Sequence, residues 1–181
     1  MTEKFFRCLR FVLKWEGGLS NDPADRGGLT NRGITQATYD RYRKAKGLPL
    51  QPVVKLTDAE MQEIYWRFYW QPVKGDEFAY PLALALFDTG VNMGVGTAIK
   101  LLQRAINDLL PQPKWVAVDG IIGQQTLAAT KALNPIQLAL RLCARREERY
   151  YAIVRANPTQ QKFLRGWLNR LNDLRRSIQQ P

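Results

Sequence analysis

Residues 80–94 read YPLALALFDTGVNMG and contain Pro81–Phe87, the longest uninterrupted apolar run of the chain. Proline is well suited to the first turn of a helix, so the Tyr80-Pro81 pair marks a helix start. The segment predicts a helix from Leu82 to about Val91 that is apolar on all sides and forms the buried centre of the fold. The apolar run is far too short to cross a bilayer.

The segments on either side of this helix are helical too, and none shows sustained two-residue alternation. A first helix is predicted over residues 3–15, ended by the glycine pair 17–18. Thr57 and Glu60 form a capping-box pattern that opens another helix. Further helices are predicted over residues 34–46, with Thr35 as the N-cap, and over residues 97–110. Two more are predicted over residues 135–156 and 158–179, each opened by an asparagine cap before proline, at Asn134-Pro135 and Asn157-Pro158. The sequence therefore predicts an all-α fold with a short irregular loop or hairpin after helix one.

The composition excludes several classes of hydrolase. The 181 residues include no histidine, which rules out Ser-His-Asp and Cys-His catalysis and nearly all zinc hydrolases. Two cysteines, Cys8 and Cys143, cannot build a four-thiolate metal site, and they leave open either buried free thiols or one disulfide. We expect no metal and no cofactor, so hydrolysis would have to rely on carboxylates.

The chain is strongly basic, with a net charge of +11. Residues 141–176 carry ten basic side chains against three acidic ones. Such a surface attracts polyanions, among them nucleic acid, anionic lipid and an anionic cell wall, but charge alone does not choose between them.

The segment from Trp15 to Thr35 reads WEGGLSNDPADRGGLTNRGIT and carries the chemistry. Glu16 is predicted at the C-terminal end of helix one, where the helix dipole is negative and favours the uncharged acid. An uncharged carboxyl group is the form that a general acid needs. Taken alone, Glu16 could equally be an exposed residue in a helix-ending turn.

The residues that follow Glu16 strengthen the catalytic interpretation. Asp22, Asp25, Thr30 and Thr35 are polar side chains in a glycine-rich segment that could direct them into one cleft. Glycoside hydrolysis uses two carboxylates, or one acid and a positioned water. For Asp22 and Asp25 the alternative is a purely local role, since aspartate favours turns beside proline and glycine.

The segment from Glu16 to Thr35 resembles glycoside hydrolase family 108, the N-acetylmuramidases of phage and bacterial origin. The resemblance implies a lysozyme-like helical domain that hydrolyses the β-1,4 bond between N-acetylmuramic acid and N-acetylglucosamine in peptidoglycan. It makes Glu16 the catalytic acid. Lysozyme-like spacing would make Asp25 the second carboxylate and Thr30 the residue that positions water, with Asp22 competing for the role of Asp25. Leu19 stands where the family usually has an aromatic residue.

Later segments are similar to the same family. YWRFYW at residues 65–70 and FDTGVNMG at residues 87–94 place Tyr65, Trp70, Asp88 and Asn92 as predicted substrate-binding residues, together with Asp22 and Thr35. Packed helix faces could equally explain the aromatic residues. A structural hydrogen bond is the alternative for Asp88, because a buried carboxylate needs partners.

VDGIIGQQT at residues 118–126 resembles the turn of small peptidoglycan-binding helical modules, which makes Asp119 a further predicted binding residue. We therefore predict a catalytic region over residues 1–94, packed with a peptidoglycan-binding helical lobe over residues 95–181.

The expected partner is bacterial peptidoglycan, bound by a monomer without nucleic acid and without an integral membrane segment. The charges in residues 3–14 break up any signal-peptide core. We thus expect synthesis in the cytoplasm and action on the wall after release through a pore or another export route. Two alternatives remain in view: a lytic transglycosylase that cleaves the same bond, and a basic nucleic-acid-binding helical protein.

Overall fold

Helices make up most of the chain, as the sequence predicts. The computed structural model describes residues 1–17, 19–20 and 29–180, and the statements below concern these residues. The helices are α1 (Glu3–Trp15), α2 (Gln36–Ala45), α3 (Asp58–Tyr65), α4 (Tyr80–Met93), α5 (Val95–Leu109), α6 (Gln124–Lys131), α7 (Pro135–Ala156) and α8 (Gln161–Gln179). The prediction of an all-α fold is confirmed.

Side-chain caps fix several helix starts at the predicted positions. Thr57 and Glu60 form the reciprocal capping box at α3, and Thr35 accepts a hydrogen bond from the Thr38 N–H at the start of α2. Asn134 accepts from two backbone N–H groups at the start of α7, where Pro135 occupies the first turn. These caps satisfy donors that a helix start would otherwise leave unpaired.

A small antiparallel sheet follows helix α1. Its strands are β1 (Leu19–Ser20), β2 (Thr30–Asn31) and β3 (Ile34–Thr35), in the order β1-β2-β3. Arg32 and Gly33 join β2 to β3, with φ of 51° and 75°. Two consecutive positive φ angles are typical of a type I′ turn, whose backbone twist matches the twist of the two strands that it joins.

The chain divides into two compact units, Met1–Trp70 and Gln71–Pro181. The predicted functional division at residue 94 stays a prediction. In the first unit, α1 buries one face, formed by Phe5, Cys8, Leu9 and Val12. A π-helix, Trp66–Trp70, continues α3 and brings Trp66 and Trp70 against the Phe5 ring, at centroid distances of 5.0 and 5.5 Å.

Helix α4 lies in the core of the second unit, as its apolar sequence predicts. Every residue from Pro81 to Gly90 is buried, including Asp88 and Thr89. Helices α5, α7 and α8 all pack against α4. Within the described residues, no helix combines the length and the apolar composition that a bilayer crossing requires.

Much of the basic charge of α7 and α8 is neutralised within the fold. Six of the ten basic side chains between residues 141 and 176 form ion pairs: Arg141, Arg145, Arg146, Arg170, Arg175 and Arg176. Cys8 and Cys143 are both buried, and neither forms a disulfide.

Candidate active site

Glu16 lies directly after the last residue of α1. Its backbone (φ −84°, ψ 123°) leaves the helical region, while its N–H still donates to the Val12 carbonyl. The apolar face of α1 is anchored in the core, so this helix end has a fixed position. Glu16 is partly exposed, so part of this residue is open to solvent.

The Glu16 carboxylate packs against the β2–β3 turn. A Cβ atom on Gly33 would lie 2.5 Å from Glu16 Oε2 and 2.7 Å from the Tyr65 hydroxyl oxygen. Both oxygen atoms therefore approach the same glycine, and only a residue without a side chain fits there. The positive φ of Gly33 is a second, independent reason why this position requires glycine.

Tyr65 connects this turn to helix α3. Its hydroxyl donates a hydrogen bond of 2.8 Å to the Arg32 carbonyl, and its side chain is 1% exposed. The predicted substrate contact of Tyr65 is therefore not supported, because almost none of this residue is open to a ligand. Tyr65 instead holds the turn against which Glu16 packs.

Tyr69 is a second tyrosine that lies close enough to Glu16 to interact with it electrostatically. Its ring lies 5.6 Å from that of Tyr65, tilted by 39°. Burial raises the pKa of Tyr69; the charge of Arg41 opposes this rise, and the negative charge of Glu16 adds to it. The Glu16 carboxyl group thus lies near the side chains of both Tyr65 and Tyr69.

The sheet places two predicted threonines opposite each other. Thr30 of β2 pairs with Thr35 of β3, so their side chains share one face of the sheet. Both are partly exposed, and the Thr35 hydroxyl oxygen serves as the cap of α2. Asp22 and Asp25 lie outside the described residues, so their predicted roles stay predictions.

Trp70 is a core residue. It is fully buried, and its ring packs against Phe5 and Trp66. The prediction that Trp70 contacts substrate is therefore not supported. The aromatic content of residues 65–70 indicated a sugar platform, but the π-helical turn directs the Trp70 ring inward.

Asp88, in the second unit, is the centre of a buried ion cluster. Arg146 Nη1 lies 2.6 Å from Asp88 Oδ2, and Arg170 Nη2 lies 2.7 Å from Asp88 Oδ1. Burial alone would raise the pKa of Asp88, but the two guanidinium groups outweigh it and hold that pKa below its usual value. Asp88 is 0% exposed and therefore has a structural role in the core. The predicted contact of Asp88 with substrate is not supported.

Asn92 and Asp119 have different surroundings. Asn92 lines a cleft of the second unit, and its side-chain oxygen accepts a hydrogen bond of 2.6 Å from the Tyr150 hydroxyl. Asp119 is exposed and accepts from the Gln103 amide and the Ile121 N–H, at 2.7 and 2.8 Å. These bonds hold the turn before α6, while the predicted ligand contact of Asp119 stays a prediction.

Three residues around Glu16 and Asp88 escaped the sequence analysis. In the sequence, Gly33 is one of several glycines in residues 15–35, and Tyr69 is one of several aromatic residues in residues 65–70. Arg146 lies 58 positions after Asp88, and no local pattern links the two. Two features of the sequence could have indicated these residues. The Asn-Arg-Gly sequence is typical of a tight turn at Gly33, and the single carboxylate of an apolar helix, Asp88, needs a partner when it is buried.

Comparisons with known proteins agree with this description. The sequence profile of the family described as "Glycosyl hydrolase 108" matches residues 9–94, and that described as "Predicted Peptidoglycan domain" matches residues 97–172. The structure of Brucella abortus SagA is similar, with 30% sequence identity, a TM-score of 0.78, and coverage of 96% of this chain and 92% of SagA. No curated protein sequence matches significantly. The chain belongs to the glycosyl hydrolase 108 family and is an all-α, lysozyme-like glycoside hydrolase that acts on peptidoglycan.

Proposed function

We propose that the enzyme is an N-acetylmuramidase that hydrolyses the β-1,4 bond between N-acetylmuramic acid and N-acetylglucosamine, with Glu16 as the general acid. The observation that carries this proposal is the placement of Glu16. It is a partly exposed residue at the end of helix α1, and its carboxylate packs against Gly33 and lies near Tyr65. The family resemblance assigns the acid to the same residue.

In the proposed reaction, protonated Glu16 gives its proton to the glycosidic oxygen as the bond from that oxygen to the anomeric carbon of muramic acid breaks. A water molecule supplies the new oxygen at that carbon and loses a proton to a second carboxylate. Asp25 is our choice for this carboxylate and Thr30 for the residue that positions the water.

The rigid surroundings of Glu16 suit a proton donor. A general acid must lie within hydrogen-bond reach of the oxygen that it protonates, so small displacements reduce the rate strongly. Helix α1 fixes the backbone of Glu16, and the hairpin turn limits where its carboxylate can lie. The turn is itself held by the hydrogen bond from Tyr65 to Arg32.

The test is digestion of purified sacculi, followed by mass spectrometry of the new chain ends. Reducing muramic acid is the expected product. Anhydro-muramic acid would instead identify a lytic transglycosylase, because that enzyme closes the sugar on itself without water. Reducing glucosamine or free peptide ends would reject the proposed bond altogether.

A further inference from the structure

The second unit contains a small cleft to which four helices contribute. Its polar and aromatic lining comes from Asn92 of α4, Thr97 of α5, Arg149 and Tyr150 of α7, and Trp167 of α8. The cleft has a volume of about 150 Å³. This is below the roughly 300–1,000 Å³ of sites that enclose a drug-sized ligand, so it suits the end of a chain rather than an extended polymer.

One wall of the cleft is fixed by stacked aromatic rings. The Tyr150 and Trp167 rings lie 5.1 Å apart at 17°, and Phe163 stacks on Trp167 at 6.0 Å and 26°. Tyr150 is 1% exposed, and its hydroxyl oxygen accepts a 2.7 Å hydrogen bond from Arg146 Nε. The buried Asp88–Arg146 pair therefore holds Tyr150 in place from beneath the cleft.

The orientation of Asn92 follows from this chain of contacts. The Tyr150 hydroxyl donates to Asn92 Oδ1, so the side-chain oxygen of Asn92 already has a donor. The Nδ2 amino group makes no hydrogen bond within the described residues and remains able to donate to a ligand. Among those residues, the Trp167 indole N–H also lacks an acceptor.

The electrostatic character of the cleft is positive. Arg149 is exposed, and within residues 1–17, 19–20 and 29–180 it has no ion-pair partner, in contrast to its neighbours Arg145 and Arg146. No aspartate or glutamate is among the described residues that line the cleft. A sugar hydroxyl can accept hydrogen bonds from these donors, but it carries no negative charge to pair with Arg149. The lining therefore fits a carboxylate, which only accepts hydrogen bonds.

We propose that this cleft captures the terminal carboxylate of the peptide that substitutes muramic acid in peptidoglycan. This inference rests on the proposed function, because it takes peptidoglycan to be the ligand. Arg149 pairs with the carboxylate, the Asn92 amino group and the Trp167 indole N–H donate to its oxygen atoms, and the apolar lining accommodates a small side chain such as that of alanine. The residues that line the cleft all belong to the second unit, whereas Glu16 belongs to the first.

The test measures binding of N-acetyl-D-alanyl-D-alanine to the full chain, with its C-terminal amide as the matched uncharged probe. The Trp167 indole N–H signal in a ¹H–¹⁵N NMR titration is the readout, assigned through the Trp167→Phe variant. We expect the acid to shift this signal and the amide to bind at least about tenfold more weakly, since only the acid carries a charge for Arg149. Equal binding of both probes would overturn the proposal.

Arg149→Gln and Arg155→Gln form the matched pair of variants. Both arginines are exposed on α7 and lack an ion-pair partner within the described residues, but only Arg149 lines the cleft. Binding of the acid should weaken at least about tenfold in Arg149→Gln and stay unchanged in Arg155→Gln. Equal losses in both variants would show a diffuse charge effect and refute the site. Inorganic phosphate that displaces the dipeptide at equal concentration would refute peptide specificity.

The sacculus digestion separates this inference from the proposed function. If reducing muramic acid appears but the acid and the amide bind alike, the cleft assignment fails and the muramidase stands. If the acid binds selectively but no reducing muramic acid appears, the muramidase assignment fails and the cleft remains a peptide site.

Discussion

The Glu16 carboxylate lies so close to Gly33 that a single methyl group on Gly33 would be 2.5 Å from Glu16 Oε2. The proposed acid of the enzyme is thus positioned by the backbone of a hairpin turn. That turn depends on two left-handed residues and on the hydrogen bond from Tyr65.

The first prediction follows from this contact. Gly33→Ala should lower activity on sacculi by about 10²-fold, the scale of loss that follows a displacement of about 1 Å in a catalytic group. It should also lower the free energy of unfolding by roughly 1–2 kcal/mol, because alanine is strained at positive φ. Gly47→Ala is the control, since Gly47 has φ of 66° but open space around it. An equal loss of activity in both variants would show that backbone strain alone, and not the contact with Glu16, is responsible.

The second prediction concerns Glu16 itself. Glu16→Gln retains the size of the side chain but cannot donate the proton, so activity on sacculi should fall by at least about 10²-fold. Thermal stability should be unchanged or slightly raised, because an acidic group is removed from the negative end of α1. Glu3→Gln, in the first turn of the same helix, should leave activity unchanged. Near wild-type clearing of sacculi by Glu16→Gln would refute the proposed acid.

The third prediction tests whether Tyr65 positions the turn. Tyr65→Phe removes the hydroxyl that holds the Arg32 carbonyl, so we expect about a tenfold drop in turnover, equivalent to about 1.4 kcal/mol in the barrier. Tyr42→Phe removes another buried-ring hydroxyl, which donates to Glu63 at 2.6 Å. Both variants should lose about 1 kcal/mol of stability, but only Tyr65→Phe should lose activity. Unchanged turnover in Tyr65→Phe would contradict the positioning role.

The fourth prediction addresses the second carboxylate. Asp25→Asn or Thr30→Ala should lower turnover by about 10²–10⁴-fold and leave the circular dichroism spectrum unchanged, as expected for loss of assistance by a base. Asp22→Asn serves as the comparison and should be mild. If Asp22→Asn is severe and Asp25→Asn mild, then Asp22 takes the place of Asp25 in the mechanism.

The fifth prediction concerns the buried ion cluster. Asp88→Asn leaves Arg146 and Arg170 buried without their counter-charge, so chemical denaturation should reveal a loss of roughly 3–5 kcal/mol. Asp58→Asn removes the exposed ion pair with Arg32 and should cost about 0–1 kcal/mol. Similar losses in the two variants would show that the buried cluster contributes no more than a surface pair.

The same cluster gives the protein a dependence on pH with a defined sign. Because the pKa of Asp88 is lowered in the folded state, its ion pairs contribute stability above the ordinary pKa of 3.8, and this stability is lost as the pH falls through the folded pKa. Denaturation midpoints measured from pH 7 down to pH 2 should therefore fall less steeply in Asp88→Asn than in the wild type.

The helices could be predicted because their signals are local. Helix α1 has the predicted bounds, and the caps at Thr57 and Asn134 lie where the sequence indicates. Each of these signals depends on residues within one or two turns of one another. The position of Glu16 at the end of α1 follows from the same local information.

The surroundings of the predicted site residues could not be predicted in this way. Tyr65 and Trp70 are aromatic whether they face a sugar or the core, and the direction of each ring depends on the π-helical turn after α3. The partners of Asp88 lie 58 and 82 positions further along the chain. Contacts over such separations depend on how the helices pack, and helix packing cannot be predicted from the local patterns of a single sequence.

The burial of Cys143 has a consequence for the redox chemistry of the enzyme. Burial raises the pKa of Cys143 to about 12, so the thiol stays protonated and is a poor nucleophile towards disulfides or peroxides. Cys8 is likewise enclosed in the core and is not in a disulfide. Neither thiol needs to be oxidised for the fold to form, and neither is open to thiol exchange. The folded enzyme should therefore behave alike in reducing and oxidising surroundings, without help from a disulfide isomerase.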